Sequence, residues 1–161
     1  MLYDYDYFER GIETGKSNYQ NYRWIPELTI PMAMTIIDLL GIKPGDLILD
    51  YGCAKGYLVK ALRMLNREAW GCDISGYALM EADADVQPFL SNLNRPDKFL
   101  YITKRFKYGI CKDVLEHIPV DKLSDLLRVL KCGNTVYYCS VGTQRKILCF
   151  GKQFRCNPCH L

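Results

Sequence analysis

DLILDYGCAKGYLVKALRML, residues Asp46 to Leu65, is the stretch on which the reading of the chain turns. Leu47-Ile48-Leu49 is a short apolar run that ends on Asp50 and enters a turn of small residues, Gly52-Cys53-Ala54-Lys55-Gly56. That is the pattern of a buried parallel strand passing into a glycine turn. From Tyr57 the period changes: Leu58, Ala61, Leu62 and Leu65 fall at i, i+3, i+4 and i+7, one apolar face of a helix. In an α/β sheet such a strand, turn and helix make a ligand site, because N–H groups at the turn and helix start point outward.

The turn does not suit a dinucleotide. In the fingerprint G-x-G-x-x-G the second glycine would be Ala54 and the third Tyr57, and the carboxylate of Asp50 would sit badly beside a pyrophosphate. It suits a cation. The pattern Asp50-x-Gly52-x-Ala54-x-Gly56 resembles motif I of the class I S-adenosylmethionine (SAM) methyltransferases, D-x-G-x-G-x-G, with alanine at the middle glycine. The SAM ligand carries an ammonium and a sulfonium. The resemblance implies that Asp50, Gly52, Cys53, Ala54 and Gly56 cradle its methionine end. It requires Asp50 and Asp73 to face a shared cavity and the space beside Gly52 to be free of side chains.

At 161 residues the chain has the length of one domain with a single core, and its 49% apolar and 24% charged residues are those of an ordinary globule. No run reaches the length of a membrane helix and the start lacks the regions of a signal peptide, so a cytoplasmic location and reduced thiols for the eight cysteines are expected. A net charge of +3 is too weak to argue for nucleic acid. It is unevenly spread: Lys131, Arg145, Lys146, Lys152 and Arg155 meet no acid after position 131.

Residues 1–30 are dense in tyrosine: Tyr3, Tyr5, Tyr7, Tyr19 and Tyr22, followed by Trp24. Gly15-Lys16-Ser17 has the ending of a P-loop, but Arg10 stands where that motif needs glycine and no apolar strand precedes it. The stretch from Tyr7 to Pro26 resembles the N-terminal arm of a bacterial and phage group of class I methyltransferases. There the arm commonly folds over the cofactor and walls the acceptor pocket. The other reading is an aromatic segment covering one edge of the core. Pro31 predicts a helix start, with Ala33, Ile36, Ile37 and Leu40 on its apolar face and Gly41 as its stop.

Ala69 to Ile74 reads as a second strand tipped by Asp73, about twenty residues past the glycine turn, where βαβ geometry brings an acid to adenosine ribose hydroxyls. Ser75 is the expected cap of a helix from Gly76 to Ala82, and Val86 to Leu90 the expected third strand. Many methyltransferases place an aspartate after that strand for the adenine amino group. Under the resemblance Asn92 is the expected substitute acceptor, with Asp97 further away, and Ile74 the expected apolar flank of the adenine. The stretch from Asn94 to Lys107 is basic and irregular.

Tyr108 to Pro119 is the second strong signal, an apolar strand ending on charges. Lys112-Asp113-Val114-Leu115-Glu116-His117-Ile118 resembles motif IV of the small-molecule methyltransferases. The resemblance implies that Lys112 and Asp113 border the reaction centre. His117 is the candidate general base, imidazole being the side chain most often used for that role, with Glu116 beside it; both also fit an exposed loop pair.

Leu123, Leu126, Leu127 and Leu130 predict a helix over Asp121 to Leu130, and Thr135 to Val141 a strand. Five β-α repeats then make a Rossmann-like doubly wound, mostly parallel sheet with helices on both faces. The C-terminal strands are expected in abbreviated form, as a hairpin from Ile147–Phe150 and Gln153–Cys156. The expected organisation is an arm over residues 1–30, a SAM-binding domain over 31–142 and a basic, cysteine-containing tail over 143–161. Cys156-Asn157-Pro158-Cys159-His160 spells a haem-attachment pattern without its context, and Cys149 is poorly spaced to complete a zinc set, so no metal is expected.

The function expected is methyl transfer from SAM to a small-molecule acceptor whose identity leaves no signature. The rivals are an inactive SAM- or nucleic-acid-binding module and a nicotinamide oxidoreductase.

Overall fold

The computed structural model describes residues 3–95, 106–119, 121, 136–141 and 144–150. Helices α1 (Tyr5–Glu9), α2 (Gly11–Thr14) and α3 (Pro26–Leu40) precede strand β1 (Leu47–Tyr51) and helix α4 (Tyr57–Met64). Strand β2 (Glu68–Asp73), helix α5 (Gly76–Met80) and strands β3 (Leu90–Asn92), β4 (Tyr108–Lys112), β5 (Val136–Val141) and β6 (Gln144–Phe150) follow. The sheet order is β3-β2-β1-β4-β5-β6. The first five strands are parallel and β6 runs antiparallel to β5.

The order reverses between β1 and β4, and in such sheets ligands bind outside the strand carboxyl ends at that point. Asp50 and Asp73 stand at the carboxyl ends of β1 and β2, and Lys112 at that of β4. Strand β1 is buried on both faces. Ile48 joins a core formed with Ile36 and Leu40 of α3 and Val59, Ala61 and Leu62 of α4, while Leu49 joins Cys72, Phe106 and Cys111 on the other face. Truncating Ile48 or Leu62, neither of which is exposed, would lose about 2–5 kcal/mol through the cavity left behind.

Four expectations are corrected. Helix α3 starts at Pro26, so residues 30 and 31 lie inside one continuous helix. Thr29 is buried, and Trp24, Ile30 and Met32 pack on the core, which anchors the first turns despite Pro31. Helix α5 ends at Met80, two residues before the expected Ala82. Residues 87–89 form a short 3-10 turn and the third strand begins only at Leu90. Pro88 explains this, having no N–H for a ladder and a fixed φ. Lastly, β6 takes residues 144–150, grouped with the tail by sequence, and pairs directly with β5, Tyr137 opposite Phe150 and Val141 opposite Gln144.

The basic stretch beyond Arg95, the helix over residues 122–130, the second half of the expected hairpin and the Cys156, Cys159 and His160 cluster lie outside the described residues. No helix among the described residues is long and apolar enough to cross a membrane.

Candidate functional site

The turn after β1 is tied to β2 at its first step, where the amides of Gly52 and Cys53 both donate to the Cys72 carbonyl at 2.7 and 3.0 Å. Gly52 has φ 79°, Gly56 φ 73° and Ala54 φ 51°, so the residue that replaces the motif's middle glycine also takes the left-handed conformation. For an alanine that is about 1–2 kcal/mol unfavourable. Asp73 holds it there: its Oδ2 accepts the Ala54 N–H at 2.8 Å, and its Oδ1 accepts the Ser75 N–H at 2.7 Å. Ser75 caps α5 as expected, accepting the Ala78 N–H at 3.0 Å, and its hydroxyl donates to the Tyr3 carbonyl at 2.7 Å.

Asp50 is 4% exposed, and its carboxylate has no hydrogen-bond partner among the described residues. Burial pushes its pKa up to about 7, the Asp73 carboxylate adds to the rise and Lys112 alone opposes it. Asp73 is also raised by burial, against the hydrogen bonds from Ser75 and Ala54. A buried, unpartnered carboxylate calls for a cation, and the ammonium of an amino-acid ligand fits that need.

Other placements qualify the fit. A Cβ on Gly52 would stand 2.3 Å from Cγ2 of Val114, so the isopropyl group of Val114 fills the space the sequence reading required to be open. Gly52 is therefore demanded by its φ and by Val114 without any ligand, and a ligand approaching from that side must displace Val114. The Cys53 side chain packs into the core, its sulfur 2.7 Å from where a Cβ on Gly71 would be. Burial raises the thiols of Cys53 and Cys72 well above their ordinary pKa.

Asn92 ends β3 directly beside Asp73 in the sheet register. Its Oδ1 already accepts the Asn94 N–H at 2.8 Å, so one acceptor direction is taken. Ile74 is substantially exposed next to Asp73. Lys112 and Asp113 form an ion pair, and Asp113 has φ 54°. Burial works against the Lys112 charge, but Asp113, Tyr19 and Asp50 outweigh it and raise its pKa. His117 is exposed in the short 3-10 turn Leu115–His117, its ring 6.3 Å from that of Tyr3. Glu116 lies in the same turn, and its side chain is outside the described residues. The site thus gathers the ends of β1, β2, β3 and β4, with Asn92 at the periphery.

One residue escaped the sequence reading. Lys55, inside the glycine turn, is buried and turns toward the N-terminal segment, where its Nζ meets Glu9 Oε1 at 2.6 Å and donates to the Tyr22 carbonyl at 2.9 Å. The Tyr77 hydroxyl of α5 donates to the same Glu9 oxygen at 3.1 Å. Phe8, packed among Tyr7, Tyr19, Tyr22 and Tyr77, seals this contact. A lysine where small residues suffice was the available signal, but its partner lies 46 positions away.

No family model matches the chain. A magnesium-protoporphyrin O-methyltransferase of Synechocystis is 31% identical over 91 residues, 54% of this chain and 40% of that protein. The chain thus spans well under half the length of the curated relative it matches. The crystal structure of magnesium protoporphyrin IX methyltransferase from Synechocystis with bound SAM superposes with a TM-score of 0.54 at 22% identity, over 76% of this chain and 61% of that one. A putative SAM-dependent methyltransferase from Methanococcus maripaludis gives a TM-score of 0.55 at 15% identity, over 71% and 55%. A glycopeptide N-methyltransferase gives 0.52 at 14%, over 69% and 56%. With its strand order, its acid-tipped β1 and β2 and these neighbours, the chain has the class I SAM-dependent methyltransferase fold.

Proposed function

We propose that the chain binds SAM across the carboxyl ends of β1, β2 and β4 and serves methyl transfer to a small-molecule acceptor. The observation that carries this reading is the buried Asp50 carboxylate, without a hydrogen-bond partner among the described residues, beside a turn with the motif I pattern. SAM supplies a methyl group already activated on a sulfonium, so the protein's contribution is chiefly to bind, align and exclude water. Asp50 would hold the ammonium, and the backbone of Gly52, Cys53, Ala54 and Gly56 the rest of the methionine end. Asp73 would take the ribose hydroxyls through its remaining acceptor positions. Ile74 and Asn92 would flank the adenine. Lys112 and Asp113 would border the reacting centre, and His117 would be the candidate to receive an acceptor proton.

Val114 fills the space beside Gly52 that the enzyme reading requires to be open, which counts against methyl transfer and favours a second reading, an inactive relative that binds nucleic acid or a partner. Thermal melting separates them. S-adenosylhomocysteine (SAH) at 100 times its Kd should add about 2.7 kcal/mol of stability, whereas NADH should add none. A melt unmoved by SAH, together with steeply salt-dependent RNA binding, would establish the second reading.

A further inference from the structure

The ion pair of Glu9 and Lys55 joins the turn assigned to the cofactor with the N-terminal arm, and it is largely buried. The two side chains are 15% and 8% exposed, a setting in which removing either partner strands a buried charge. Lys55 contributes its backbone to the turn while its ammonium ties down the end of α1 through Glu9 and the chain at Tyr22. Tyr77 adds α5 to the same point through Glu9 Oε1.

The arm is fastened a second time at Tyr3, whose carbonyl accepts the Ser75 hydroxyl. Between the two fastenings lies Asp73, bonded on one side to Ala54 and on the other to Ser75. Both attachment points of the arm are therefore neighbours of the residues that would meet the ligand. A ligand that settles against Ala54 and Asp73 fixes the positions to which the arm is tied.

The arm has little reason to hold its shape alone. Helices α1 and α2 are five and four residues long, far below the length at which a helix persists by itself. Its internal backbone bonds include Ile12 N–H to Tyr19 O, Asn21 N–H to Glu9 O and Tyr22 N–H to Phe8 O. Segments of this kind open locally at less cost than the whole fold.

We propose that Glu9 and Lys55 are positioning residues that couple docking of the N-terminal arm to occupancy of the SAM site, so that each favours the other. The inference rests on the SAM reading above. Neither residue touches the reacting atoms; both act through the turn and the arm.

The test uses the full chain with SAH as the probe. Calorimetric titration of the wild type, Glu9→Gln, Lys55→Met, the double variant and Lys55→Arg should show each single charge removal weakening SAH about 10-fold, within the usual range of coupling between sites. The double variant should be no weaker than either single, and Lys55→Arg should recover most of the affinity. Linkage requires the reciprocal effect: saturating SAH should slow hydrogen exchange at the amides of Ile12, Asn21 and Tyr22 in the wild type by a similar factor. The exchange measurement decides the matter if a variant fails to fold. Unchanged SAH affinity in variants that melt lower, losses that multiply in the double variant, or arm exchange indifferent to SAH would each overturn the coupling. A wild type that binds no SAH would overturn the cofactor reading itself.

Discussion

The amide of Ala54 donates to the carboxylate of Asp73 at 2.8 Å, so the acid at the tip of β2 holds in place the one turn residue that departs from the glycine pattern of β1's loop. Ala54 carries φ 51°, the left-handed conformation that glycine adopts freely. Ala54→Gly should therefore stabilise the fold by about 0.5–1 kcal/mol in urea titration, the released strain exceeding the added freedom of the unfolded chain. A destabilised variant would mean the turn is not strained.

Asp73→Ala should do the opposite, by about 2 kcal/mol, because the half-buried amide of Ala54 and the buried amide of Ser75 lose their acceptor together. The same variant should weaken SAH, and the two losses can be separated by titrating at a temperature where the variant is fully folded.

Asp50 makes stability depend on pH with an unusual sign. Its pKa rises from the ordinary 3.8 to about 7 on folding, so the folded state holds a proton that the unfolded chain releases. Stability should thus be highest near pH 4 and fall as pH rises toward 7, by at most about 1.4 kcal/mol per pH unit from this group. Asp73 is raised in the same direction and contributes with the same sign. Asp50→Asn should flatten the slope, as read from denaturation midpoints between pH 4.5 and 8.

Val114 and Gly52 compete for one space. Gly52→Ala should lose at least about 2 kcal/mol, since its Cβ would meet Val114 Cγ2 at 2.3 Å and its φ is 79°. Adding Val114→Ala should recover part of that loss. On its own, Val114→Ala should strengthen SAH binding several-fold, because a ligand then has less to displace; weaker binding would indicate that Val114 lines the ligand instead.

Much of the site was legible because its signals are local. The change from an apolar run to a helical period at Tyr57, the acid tips of β1 and β2 and the Ser75 cap are all set by neighbours in sequence. Prolines misled twice, Pro31 because a helix can pass through one when the core holds both sides, and Pro88 because it turns a run that looks extended. The Lys55 to Glu9 pair and the placement of Val114 beside Gly52 were not legible, since each is made by tertiary folding between segments 46 and 62 positions apart that no spacing rule connects.

The central claim is that the buried carboxylate of Asp50 awaits the cation of a bound cofactor. Calorimetric titration of wild type and Asp50→Asn with SAH at pH 7.5 tests it most directly. The account predicts wild-type binding at roughly micromolar Kd and at least about tenfold weaker binding to the variant, the loss of one charged hydrogen bond. Equal affinities for the two proteins, or no binding to the wild type, would contradict it.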